Sequence, residues 1–127
     1  MNTYCGPFAL GFVLGTDADD GARRIRAVTA QRSVHGVSRP TLWRALHASG
    51  VRAWAHAPEM LGLPAKPTLA AVLPRLRGTQ PYIVCVTGHY IVVRGRKIYD
   101  NQHPNGLPRA KWPHRRKRVL QIWEILP

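Results

Sequence analysis

The sequence predicts an α+β fold, with helices first and an antiparallel sheet second, and three observations carry that expectation. Apolar residues recur at helical spacing between Cys5 and Gly50. From Tyr82 the texture changes to runs dense in β-branched and aromatic residues, YIVCV, HYIVV and KIYD, which suit a pleated sheet. The chain has 127 residues, 45% of them apolar, enough for one modest core, so a single domain over residues 1–127 is expected.

Each element follows from local chemistry. CGPFALGFVL, from Cys5 to Leu14, is apolar almost throughout and has Pro7 where a first helical turn tolerates a missing N–H. It reads as a short buried helix with Cys5 at its N-terminal end. GTDADDG supplies turn residues and an N-cap for a second, amphipathic helix that turns Ala22, Ile25 and Ala27 or Val28 to one side and runs to about Arg32. Ser38 as a cap, Pro40 in the first turn and Gly50 as a stop bracket a third helix carrying Leu42, Trp43 and Leu46. VRAWAHA alternates as a strand, and a loop with Gly62 and Pro64 follows. Thr68 caps a short helix that Pro74 prevents from continuing. The runs after Tyr82 form a hairpin with its tip at Gly95, residues 101–118 form a polar, Pro-rich connection, and RVLQIWEIL closes the chain as the last strand.

Composition narrows the partners more than the chemistry. Nineteen Lys and Arg against six Asp and Glu give a formal charge of +13, a field that attracts nucleic acid, anionic headgroups or acidic proteins and weakens with salt. The charge is uneven: Asp17, Asp19 and Asp20 lie together near the front, and Arg115, Arg116, Lys117 and Arg118 form a basic patch near the end. No helix-turn-helix or finger signature accompanies that patch, and a solvated charge run is the ordinary account of it. No apolar run reaches the roughly 18 residues of a membrane span, and the start MNTYC lacks the pattern of a secretory signal, so a cytoplasmic protein is expected. Cys5 and Cys85 are too few for a disulfide framework and are read as free thiols. His35, His47, His56, His103 and His114 lack metal-ligand spacing, so neither a metal nor another cofactor is called for; they are assigned to surfaces or loops. Trp43, Trp54, Trp112 and Trp123 are expected to pack in the core.

Three residues stand apart. A cysteine at a helix N-terminus sits beside partial positive charge and backbone N–H groups, which favour a thiolate and can receive an oxyanion. Cys5 has that setting, and Gly6 removes a side chain beside the sulfur and leaves room for substrate. A nucleophile needs a base, and a base needs an orienting group. His89 lies on a predicted strand directly after Gly88, and the return strand KIYD delivers Asp100. If residues 94–97 form the turn, Tyr99 faces Val92 and Asp100 faces Ile91, placing Asp100 diagonal to His89 at ~7–8 Å between backbones, within side-chain reach. Asn101 is the alternative orienting residue, although on a regular strand it faces the other way. Cys85, four residues before His89, is expected to share its face and to be buried in mid-strand.

NTYCGPFAL with a helix-borne cysteine, GHYIVV on one strand and KIYDN on the next resemble the papain-like cysteine peptidase superfamily, and within it short phage-encoded proteins and the double-glycine leader peptidases of bacterial exporters. The resemblance spans residue 2 to about residue 101. It implies a papain-like fold in which Cys5 is nucleophile, His89 base and Asp100 orienting group, acting on a peptide or protein substrate. A phage origin would place the protein in the host cytoplasm or the virion. The family commonly carries a Gln several residues before the Cys as an oxyanion-hole donor; only four residues precede Cys5, and the Asn2 side chain or backbone N–H groups such as that of Gly6 are the candidates in its stead. Hydrolysis of a peptide or isopeptide bond, acyl transfer of the transglutaminase kind, and a catalytically silent basic scaffold that binds nucleic acid or a host protein remain the three readings.

Overall fold

Residues 4–30, 32–34 and 36–127 are described by a computed structural model. Three helices, α1 (Cys5–Leu14), α2 (Ala18–Val28) and α3 (Arg39–Ala48), precede strand β1 (Ala53–His56) and a short helix α4 (Leu69–Val72). Strands β2 (Tyr82–Val86), β3 (His89–Arg94), β4 (Lys97–Asp100), β5 (His103–Pro108) and β6 (Val119–Ile125) complete one antiparallel sheet in the order β1-β6-β2-β3-β4-β5. The class is α+β, with one departure from helices-then-sheet: β1 comes before α4 and forms an edge by pairing with β6.

Local signals set the helix ends. Asp17 accepts from the Asp20 N–H, Ser38 from Thr41 and Thr68 from Ala71, each covering an N–H that the helix leaves over. The second helix ends at Val28, before Arg32. The backbone of the basic run 115–118 finishes the cap of α4: Leu69 N–H donates to the Lys117 carbonyl and Ala70 N–H to that of Arg115, both at 2.9 Å.

The sheet is buried on both faces, which is why HYIVV reads as a continuous apolar run. Ile83, Cys85, Tyr90, Val92, Tyr99, Trp123 and Ile125 pack under α1, α2 and α3 with Leu10, Ile25, Leu42 and Leu46. Val84, Val86, Ile91, Val93, Ile98 and Ile122 face the other way, against Leu69, Val72, Leu73, Leu76 and Trp112. Two turns fix the register. Gly88 (φ 73°) closes β2 onto β3, and Gly95 (φ 60°) closes β3 onto β4 so that Val92 pairs with Tyr99, as the turn geometry predicts.

Three expectations are corrected. Residues 101–118 are not merely a connection, because HPNGLP forms β5; it lies at the sheet edge, where prolines cost no ladder hydrogen bond. Cys85 is buried in mid-strand but does not share the sheet face of His89: the turn at Gly88 places it on β2 opposite Tyr90, while His89 pairs with Val86. Trp54 is 63% exposed, on edge strand β1, and is not a core residue; Trp112 and Trp123 are buried, and Trp43 is half-buried against Trp123.

Helix α1 meets α2 almost backbone to backbone. A Cβ added at Gly21 would fall on the Pro7 carbonyl, and one at Gly11 on the Asp17 carbonyl. Gly21→Ala gains about 1 kcal/mol of helix propensity but meets immovable backbone, where overpacking costs about 1–3 kcal/mol or more. The expected outcome is net destabilisation, read as a lower urea midpoint, whereas Gly15→Ala, with open space around it but a left-handed backbone (φ 74°), loses only about 1 kcal/mol.

Candidate active site

Cys5 is the first residue of α1, with Tyr4 in the N-cap position. Pro7 brings no N–H, so the donors at the helix head nearest the sulfur are the N–H groups of Cys5 and Gly6. Both residues are buried. The space a side chain at Gly6 would need is held by Val37, whose Cβ lies 3.3 Å from the ideal Cβ position. The absent side chain lets α1 pack beside Val37 and Tyr90, two residues that also wall the cleft at Cys5. Asn2 lies outside the described residues.

Opposite α1, His89 opens β3 and Asp100 closes β4, and they are the only charged or polar residues in the core among those described, at 9% and 2% exposure. His89 Nε2 lies 2.8 Å from Asp100 Oδ2. Burial alone would raise the carboxyl's pKa, but hydrogen bonds from His89 and His103 outweigh it and hold Asp100 below its ordinary value. The ionised carboxylate can only accept, so His89 presents Nε2–H to it. Cys5 lines a cleft together with His89 and favours the protonated form of the ring. With Nε2 committed to Asp100, Nδ1 is the ring nitrogen left for proton exchange. Burial opposes the charged imidazole, yet the hydrogen bond to Asp100 and the influence of Cys5 prevail and raise His89 to about 9. Such a ring can take a proton from sulfur and return it to a leaving group on the same side.

The other carboxylate oxygen exposes what sequence reading overlooked. Asp100 Oδ1 accepts from His103 Nδ1 at 2.9 Å and from the N–H groups of His103 (2.8 Å) and Gln102 (3.0 Å). His103 is thus part of this network, not an isolated surface histidine. The available signal was an aspartate at a tight turn, where a carboxylate commonly binds N–H groups two and three residues on. Asn101 lies in that turn and lines a different recess, with Tyr4, Phe8 and Phe12. The described remaining histidines are elsewhere: His47 packs edge-on against Trp43, His56 pairs with Glu124 at 3.0 Å, and His114 is exposed. Among the described residues, no group of three or more His, Cys, Asp or Glu is placed to hold a metal ion.

Cys5 and His89 open into a cleft of about 470 Å³ walled by Val37, Arg39, Tyr90 and Leu120. The Tyr90 hydroxyl donates to the Val37 carbonyl at 2.6 Å and ties the wall to the sheet. Cys85 lines the same cleft, but burial pushes its thiol up to about 12, far from a reactive thiolate. Arg115, Arg116, Lys117 and Arg118 do not line it; Lys117 Nζ donates to the Thr87 carbonyl and Arg118 to that of Lys66, both at 3.3 Å.

Removing Asp100 strands a buried imidazolium, whereas removing His103 leaves the carboxylate its two backbone donors and His89. Asp100→Ala is expected to cost about 3–5 kcal/mol and His103→Ala about 1 kcal/mol in urea unfolding. His89 is raised from 6.5 to about 9 in the folded chain, so its contribution is complete below pH 6.5 and is lost as pH rises through about 9. The decline in stability over that window should flatten in His89→Gln. No family model, curated protein or solved structure matches this chain.

Proposed function

We propose that the chain is a papain-like thiol hydrolase that cleaves a peptide or isopeptide bond. The observation that supports this reading best is His89 hydrogen-bonded to the buried Asp100 and sharing a cleft with Cys5, which stands at the head of a helix. The Cys5 thiol gives its proton to His89 Nδ1 and the sulfur attacks the substrate carbonyl; the oxyanion faces the helix-head N–H groups. His89 then protonates the leaving amine, and the C–N bond breaks to leave an acyl-enzyme. Water, deprotonated by His89, releases the acid and restores the thiol. An amine in place of water gives acyl transfer with the same residues. Two buried cysteines that form no disulfide suit a reducing compartment such as the cytoplasm.

The test is alkylation by iodoacetamide, followed at each cysteine by peptide mass spectrometry across pH. Cys5 is expected to label quickly below pH 7 and at least about tenfold more slowly in His89→Ala, while Cys85 stays inert. Ordinary-thiol behaviour of Cys5 in both proteins overturns the reading. With a peptide substrate in hand, kcat/KM should fall as pH rises through about 9, where His89 loses the proton that the leaving amine requires.

A second reading, a basic scaffold for polyanions, has its own observation. Residues 60–99 and 101–123 contain no Asp or Glu, and among the described residues Lys66, Arg77, Lys111, Arg115 and Arg116 have no acidic partner. Fluorescence anisotropy with a labelled single-stranded oligonucleotide should show affinity falling steeply with NaCl, a slope reduced by about 1 in Arg115→Gln/Arg116→Gln, and no effect of Cys5→Ala.

A further inference from the structure

The cleft at Cys5 does not end there. Arg39 and Pro40, at the start of α3, form its outer wall and also one wall of a second recess of about 480 Å³. That recess is floored by Trp43 and Trp123, whose rings meet edge to face at 5.2 Å. The polar edge of Trp123 is satisfied within the protein, because its Nε1–H donates to Gln121 at 2.8 Å. A path therefore leads from the sulfur, past a guanidinium, to an aromatic floor.

Arg39 stands unneutralised on this path. It is exposed and forms no ion pair, and its side chain makes no hydrogen bond among the described residues. None of the described residues that line the two recesses is acidic. The charge of Arg39 nonetheless reaches the cleft floor, where it favours the ionised forms of Cys85 and Tyr90. A planar guanidinium beside an apolar recess offers a carboxylate a two-pronged hydrogen bond that an amide or an amine cannot match.

We propose that the group attacked by Cys5 belongs to a peptide bearing a carboxylate near the scissile bond, held by Arg39 with the chain extended toward Trp43. The inference rests on Cys5 being the nucleophile and adds the substrate class. Arg39 is a specificity-determining residue in this scheme: it takes no part in proton transfer.

Two small alkylating agents separate the claims, since iodoacetate carries the carboxylate and iodoacetamide is its neutral counterpart. The readout is the ratio of their second-order rate constants at Cys5, at pH 7 and low salt. The ratio should fall at least about fivefold in Arg39→Gln, drop further in Arg39→Glu, and be only partly restored in Arg39→Lys, which keeps the charge but loses the fork. Arg44→Gln removes an equal charge from the exposed face of the same helix and should leave the ratio within about twofold, which excludes the general field of a basic protein. A ratio that stays the same in Arg39→Gln, while iodoacetamide labelling of Cys5 still depends on His89, overturns the role of Arg39 and leaves the nucleophile standing. Failure of Cys5 to react with either reagent overturns both.

Discussion

A carboxylate at 2% exposure is the constraint around which the site is organised. Leaving such a charge unpaired costs several kcal/mol, so the chain must supply donors on every side of it. Four converge: the rings of His89 and His103 and the N–H groups of Gln102 and His103. The turn between β4 and β5 is shaped by that requirement, and the orientation of His89 follows from it. One ring nitrogen is committed to the carboxylate, and the ring shares its cleft with Cys5.

The sheet makes this arrangement rigid. Because both faces are buried, β3 and β4 are held between two cores and cannot slip without moving every alternate side chain to the wrong face. Helix α1 is held as firmly from the other side, by glycines that let α2 approach its backbone. Sulfur and imidazole are thus presented by elements with little freedom of their own, and preorganisation of this kind is what proton transfer over a short distance needs.

Charge acts on a different scale. Of the three aspartates near the front, Asp17 serves as a cap, Asp20 meets Thr16, Arg23 and Arg24, and Asp19 accepts from the Tyr4 hydroxyl at 3.4 Å. The long acid-free stretches leave many cations to solvent. Most of them influence only long-range attraction, which salt screens. Arg39 differs because it stands where two recesses meet, so its charge acts at contact distance on whatever enters.

Signals that operate within a few residues were legible in the sequence. Caps at Asp17, Ser38 and Thr68, the turn at Gly95, the β-branched density of β2 and β3 and the alternation of β6 depend on neighbours close along the chain, and from them followed the α+β class and the Val92–Tyr99 register. The proximity of His89 and Asp100 was accessible for the same reason, since one hairpin joins them. Tertiary structure alone decided the position of β1 beside β6, the edge strand HPNGLP and the exposure of Trp54. It also decided that Val37 packs beside Gly6 and that Arg39 borders the cleft. His103 lay within reach of a local signal, but its weight depends on Asp100 being buried, and burial is a property of the whole sheet. Short-range chemistry determines which elements form; the contacts that complete the site join residues far apart in sequence, and no local preference encodes them.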